Sequence, residues 1–107
     1  MRKLLLLFTI PFLSFGQQTY VPDDAFEQRL ILHGYDDIMD NYVLTASIDT
    51  VTTLSLEYTL ISDATGLEDF VSLTHLNIMG FGLSSNLTVL DLSNNIALTS
   101  LMCGGNI

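Results

Sequence analysis

Residues 87–107 read LTVLDLSNNIALTSLMCGGNI and carry one short pattern twice. Each copy has an apolar residue, a second one three positions later, a third after two more, and then an asparagine. The first copy consists of Leu87, Leu90, Leu92 and Asn95, and the second of Leu98, Leu101, Cys103 and Asn106. Alternate side chains of an extended strand share one face. The pattern therefore predicts two short strands, each followed by a turn.

The same pattern extends back to Val51. VTTLSLEYTLI (51–61) supplies Val51, Leu54, Leu56 and Ile61, and LTHLNIMGFGL (73–83) supplies Leu73, Leu76, Ile78 and Leu83. Thr59 and Phe81 stand there in the asparagine position. All four units fit the leucine-rich pattern L-x-x-L-x-L-x-x-N-x-L in part. One such strand cannot bury its apolar face alone, but parallel strands stacked on each other can. We therefore expect one buried column formed by Leu54, Leu76, Leu90 and Leu101.

The connections between the units become shorter along the chain. The interval from Leu54 to Leu76 is twice as long as the interval from Leu90 to Leu101. The first interval leaves room for a helical or irregular return over ISDATGLEDFVSL, whereas the last allows only a tight turn. The side-chain amides of Asn95 and Asn106 are expected to bond backbone groups that the neighbouring turns leave exposed.

An acidic segment precedes the units. In YVPDDAFEQRLILHG (20–34), Asp24 and Glu27 have the spacing of a capping box. We predict a helix over Asp24–His33 with Asp24 as its N-cap, and Asp23 as the rival N-cap. Phe26 and Leu30 would share its buried face. Gly34 would end the helix in the left-handed region.

The next stretch clusters Asp36, Asp37 and Asp40. Carboxylates in a loop can bind calcium, although the spacing does not match an EF-hand. Turn formation around the apolar stretch 42–44 is the favoured interpretation, with Thr45 capping a short turn that leads to Ile48. Calcium binding stays open as the alternative.

The N-terminal stretch 1–16 has the three parts of a secretory signal: Arg2 and Lys3, an apolar run over 4–13, and small residues before Gln17. The apolar run is too short to span a bilayer. Its removal leaves one Arg against 12 acidic residues, a formal charge of −11. This charge argues against binding to nucleic acid or anionic lipid. One Cys and two His give neither an internal disulfide nor an obvious zinc site, and no cofactor is expected.

Three stretches together, TYVPDDAFEQRLILHGYDD, ISDATGLEDFVSLTHLNI and LTVLDLSNNIALTSLMCGGN, resemble the start of secreted bacterial leucine-rich repeat proteins of the internalin-like type with short nested units. The resemblance implies an α/β solenoid of short parallel strands. Residues 17–50 would form a helical N-terminal cap, and residues 51–107 an incomplete repeat array with an uncapped C-terminal end. It further implies a non-catalytic binding surface at the cell surface or outside the cell.

Side chains that flank the strand leucines would form the concave face, which solenoids use for binding. They are Thr53, Ser55, Glu57, His75, Asn77, Met79, Val89, Asp91, Ser93, Ser100 and Met102. The expected partner is a protein or a glycan. The alternative function is a structural cap or spacer that presents a further domain missing from this chain. Cys103, in a strand-leucine position, is expected to face the core.

Overall fold

The computed structural model describes residues 16–57, 60–80 and 87–104. These residues form a small mixed α/β domain with few strands. Its elements are β1 (Gln18–Tyr20), α1 (Asp24–Leu32), β2 (Tyr42–Leu44), α2 (Thr45–Ile48), β3 (Thr53–Ser55), a 3-10 turn (Leu67–Asp69), β4 (His75–Asn77) and β5 (Ser100–Met102). Residues 1–15 of the predicted signal over 1–16 lie outside the described residues, as do Thr59, Phe81, Leu83 and Asn106.

Helix α1 forms close to its predicted bounds, but its N-cap is Asp23 and not Asp24. Asp23 Oδ1 accepts hydrogen bonds from the backbone N–H groups of Ala25 (3.0 Å) and Phe26 (3.1 Å). Glu27 is therefore one position too late for the capping box, and its side chain bonds elsewhere. Gly34 follows the helix at φ +84°, which confirms the left-handed end.

Strands β1 and β2 form an antiparallel pair in which Thr19 lies opposite Val43. The predicted capping role of Thr45 is wrong. The N-cap of α2 is Leu44, and it makes no side-chain capping bond. Thr45 already lies inside the first turn, where its hydroxyl lies 2.7 Å from that of Thr19 and so joins α2 to β1.

The second sheet is parallel, with the order β3-β4-β5. Leu54 pairs with Leu76, and Leu76 pairs with Leu101, so three of the four predicted strand leucines are aligned. The prediction for Leu90 is wrong, because β5 lies directly beside β4 and no strand forms around Leu90. Within the described residues this sheet has three strands rather than the predicted four.

The stretch around Leu90 forms no strand and is followed by a turn. Asp91 Oδ1 accepts a hydrogen bond from Ser93 N (2.9 Å), but Asn77 Oδ1 of β4 accepts the same bond from Met79 N, so this bond does not by itself prevent a strand. Asn95 N then donates to Leu92 O (3.0 Å). The stretch over 87–92 thus belongs to the connection between β4 and β5.

The turn before each strand of the parallel sheet has the same hydrogen bond. Val51 N donates to Ile48 O, Leu73 N to Phe70 O, and Leu98 N to Asn95 O. Each bond has the same position in sequence relative to the strand leucine that follows it. The described chain therefore repeats a turn-and-strand unit three times.

Both sheets and α1 share one core. Phe26 and Leu30 of α1 are fully buried, and the Phe26 ring stacks on Phe70 with 6.2 Å between centroids. Leu54 and Leu76 are 1% and 2% exposed.

Burial decreases at β5. Leu101 is 41% exposed although it is in register with the two buried leucines. The expectation that Cys103 faces the core is wrong, since it is exposed. No described strand lies on the far side of β5.

Candidate functional site

The outward face of the parallel sheet carries two rows of side chains set by the strand register. Thr53, His75 and Ser100 form one row, and Ser55, Asn77 and Met102 form the other. The strand leucines between these rows point to the opposite face and are buried in β3 and β4. Eight of the eleven predicted binding residues come together here, and we call them the recognition face after the role that the sequence predicts for them: Thr53, Ser55, Glu57, His75, Asn77, Met79, Ser100 and Met102.

A hydrogen-bond network fixes the middle of the recognition face. Asn77 Nδ2 donates to Glu57 Oε1 at 2.6 Å, and Asn77 Oδ1 accepts from Met79 N at 3.2 Å. Ser55 Oγ donates to the same Glu57 oxygen at 3.5 Å. Both ends of the Asn77 amide are thus held, and this network presents carboxylate and amide oxygens in a fixed arrangement.

The exposed His75 is oriented by the residue before it. Thr74 Oγ1 donates to Thr52 O at 3.0 Å, and His75 Nδ1 lies 2.8 Å from that hydroxyl. The Thr74 hydroxyl thus holds the His75 ring at Nδ1.

Helix α1 covers the outer edge of β3. Arg29 Nη2 donates to Glu57 O (3.4 Å), and His33 Nε2 bonds Ser55 O (3.3 Å). These two side chains occupy carbonyl groups that an edge strand would otherwise expose. The N-terminal segment therefore contacts the β3 edge of the parallel sheet.

Val89, Asp91 and Ser93 are not part of the recognition face, which corrects their prediction as concave residues. They lie in the connection between β4 and β5, where the expected strand does not form. Val89 and Asp91 line a separate groove of about 400 Å3 with the loop before the 3-10 turn. The Ser93 hydroxyl and N–H lower the pKa of Asp91 by hydrogen bonding to its carboxylate.

Asn95 performs the role predicted for it. It is 3% exposed, and its Nδ2 donates to Leu67 O and Phe70 O, both at 3.0 Å. The amide thus satisfies two carbonyls of the preceding turn. Its Oδ1 is buried without a hydrogen-bond partner.

Glu27 is a buried acid that the sequence reasoning missed. It is 0% exposed, and its two carboxylate oxygens accept from Asn41 N (2.9 Å) and Asp40 N (3.2 Å). Burial and the neighbouring Asp36 carboxyl raise the pKa of Glu27 to about 7, against the two backbone donors, which lower it. Asn41 adopts φ +70° to direct its N–H to this site. The only sequence signal was an acidic residue on the apolar face of α1.

One carboxylate oxygen from each of Glu27, Asp36 and Asp40 lies within 4.8 Å of the other two. The set differs from the one considered for calcium, because Glu27 takes the place of Asp37. Calcium prefers six to eight oxygen ligands. Both Glu27 carboxylate oxygens already accept backbone hydrogen bonds. The geometry therefore favours a proton held between Glu27 and Asp36 over a bound calcium ion.

No family model matches the chain, and a search of curated proteins finds no match. The fold is similar to that of an internalin with leucine-rich repeats. That structure is described as the functional domain of InlJ from Listeria monocytogenes, which includes a cysteine ladder; the TM-score is 0.53 and the identity 24%. The match covers 85% of this chain and 25% of the InlJ chain, so this chain spans about a quarter of the length of that solved domain. The likeness concerns the fold alone. Within the described ranges, no helix is long and apolar enough to cross a membrane.

Proposed function

We propose that the chain is an exported, non-catalytic recognition module that binds a protein or a glycan at the cell surface. In this proposal the three turn-and-strand units are coils of a leucine-rich repeat solenoid, and the ligand lies on the recognition face. The main observation behind the proposal is the regular arrangement of side chains on that face. Its rows follow the strand register, and its Glu57–Asn77 network is fixed before any ligand arrives. A fixed surface lowers the entropy cost of binding.

Further support comes from the fold and from the N-terminal segment. The likeness to the InlJ domain fits a leucine-rich repeat module. The bonds from Arg29 and His33 to the β3 edge fit the role of a cap at the front of a solenoid. The signal-like residues 1–16 fit export.

The experiment uses the chain from Gln17, the form expected after signal removal, on a glycan array and on intact cells. We expect saturable binding to one ligand class. His75→Ala and Met79→Ala should weaken it by tenfold or more, while the far-ultraviolet circular dichroism stays unchanged. Val89→Ala is the matched control, because Val89 is 75% exposed and lies outside the recognition face.

Two results would contradict the proposal. One is an equal loss of binding from Val89→Ala and His75→Ala. The other is the lack of saturable binding by a folded chain, which would favour the structural cap or spacer.

A further inference from the structure

Glu57 is the only acidic residue of the recognition face, and none of the eight residues is Lys or Arg. Its side chain is partly exposed. Its Oε1 accepts hydrogen bonds from Asn77 Nδ2 at 2.6 Å and Ser55 Oγ at 3.5 Å. Its other oxygen, Oε2, accepts no hydrogen bond from a described residue. The network therefore fixes the carboxylate and leaves one oxygen for a ligand.

The described residues supply no cation to the Glu57 carboxylate. Arg29 is the only Lys or Arg after the signal-like residues, and it donates to the backbone carbonyl of Glu57 rather than to its carboxylate. His33 bonds the carbonyl of Ser55. No ion pair joins Glu57 to a described Lys, Arg or His side chain. A positively charged group of the ligand would supply the counter-charge.

The charge of the whole chain favours the same kind of ligand. Without residues 1–16 the formal charge is −11. A field of this sign steers positive partners toward the surface and disfavours acidic ones. A Lys or Arg side chain would gain attraction between opposite charges as well as a hydrogen bond to Oε2, whereas a sugar hydroxyl would gain the hydrogen bond alone.

Met79 offers an apolar contact near this carboxylate. It lies two positions beyond Asn77, as Glu57 lies two positions beyond Ser55, and Asn77 and Ser55 are paired in the sheet. Met79 N is held by Asn77 Oδ1 at 3.2 Å. A flexible thioether packs well against the methylene stem of a Lys or Arg side chain.

We propose that the ligand of the recognition face is a protein segment that places a Lys or Arg side chain on the Glu57 carboxylate. This inference rests on the proposed function and narrows its ligand from a protein or a glycan to a protein. The ammonium or guanidinium group donates to Glu57 Oε2, and its stem packs on Met79.

The first test is binding of the chain from Gln17 to intact cells. Glu57→Gln should weaken saturable binding at least tenfold, with an unchanged far-ultraviolet circular dichroism spectrum, because Gln keeps an oxygen for Asn77 and Ser55 and loses only the charge. Asp24→Asn is the matched control, since it removes the same charge from an exposed residue outside the face. Binding should also weaken as salt is added. Protease treatment of the cells should abolish it, and periodate oxidation of their sugars should not.

The outcomes separate this inference from the proposed function. Saturable binding that His75→Ala weakens but that Glu57→Gln and salt leave unchanged would overturn the cationic ligand and leave the recognition module standing. Binding lost on periodate oxidation but kept after protease treatment would do the same, because the ligand would then be a glycan. A folded chain without saturable binding would overturn both.

The second test locates the contact with a synthetic peptide of 12 alternating Lys and Ser residues, titrated into the isotope-labelled chain and followed by NMR. Saturable shifts should centre on the amide signals of Glu57, Asn77 and Met79. The same peptide with acetylated Lys side chains, which carry no charge, should bind at least tenfold more weakly. Shifts confined to the acidic loop over 36–40, or equal weakening by Glu57→Gln and Asp24→Asn, would contradict the proposal.

Discussion

Asn95 links two successive units through a single side chain. Its amide nitrogen satisfies Leu67 O and Phe70 O, which belong to the preceding turn. The corresponding position in the unit before is the fully buried Phe70. The same place in the repeat is thus filled once by an apolar ring and once by a hydrogen-bonding amide.

Replacing Asn95 by Ala should lower the free energy of unfolding by about 1–3 kcal/mol, because two buried hydrogen bonds are lost, although Leu67 O and Phe70 O each keep one backbone donor. Urea denaturation followed by circular dichroism measures this change. Asn94→Ala is the control, since Asn94 is exposed and its change should stay within about 0.5 kcal/mol. Equal costs at both positions would show that the Asn95 bonds do not hold the units together.

Glu27 makes the fold sensitive to pH. Its pKa is about 7 in the folded chain, above its ordinary value of 4.5, so the folded state binds the proton more tightly than the unfolded state does. The resulting stabilisation is complete below pH 4.5 and is lost as the pH rises through 7. Asp36 and Asp40, the acids that face Glu27, add repulsion when it ionises.

We therefore expect the melting temperature to fall from pH 5 to pH 8, and Glu27→Gln to reduce that fall. Asp24→Asn is the control, because Asp24 is exposed, and it should leave the fall in melting temperature between pH 5 and pH 8 unchanged. EDTA should not shift the melting temperature if a proton rather than calcium occupies the cluster. If Glu27→Gln leaves the fall in melting temperature unchanged, Glu27 is not the group that makes the fold sensitive to pH.

For single residues, the sequence predicts the hydrogen bonds of turns better than it predicts which side chains are buried. Asn95 was predictable because its position in the repeated pattern places its side-chain amide beside the turn of the preceding unit. Glu27 was not, because its burial depends on the loop over 36–41 folding back over α1.

The strand leucines differ in how much each contributes to the free energy of unfolding. Leu76→Ala should cost about 2–5 kcal/mol of unfolding free energy, since Leu76 is 2% exposed between two strands. Leu101→Ala should cost clearly less, because Leu101 is 41% exposed. Chemical denaturation of both variants gives the comparison. A cost at Leu101 equal to that at Leu76 would mean that β5 is covered on both sides.

Elements were predictable where the pattern had one interpretation. Leu54, Leu76 and Leu101 fall on aligned strands, as their L-x-[LIC] context indicates. The stretch around Leu90 has the same pattern and forms no strand, because β5 occupies the place beside β4. Strand β1 was not predictable, because it forms only by pairing with β2, which lies beyond α1 in the chain.

At the scale of the whole molecule, α1 and the parallel sheet share one core. The contact between Phe26 and Phe70 joins the N-terminal segment to the second unit. Phe26→Ala should cost about 3–5 kcal/mol, a large part of the usual stability of a domain. Amide hydrogen exchange should show that protection falls in β4 as well as in α1. Loss of protection in α1 alone would mean that the two parts unfold separately.

Parallel strands in the order β3-β4-β5 form the recognition face, and NMR couplings across hydrogen bonds test this order directly. We predict a coupling from Leu56 N to the Asn77 carbonyl carbon and one from Ile78 N to the Met102 carbonyl carbon, for bonds of 2.6 and 2.7 Å. A coupling from Ile78 N to a carbonyl within residues 87–92 would contradict it, because a strand around Leu90 would then lie beside β4.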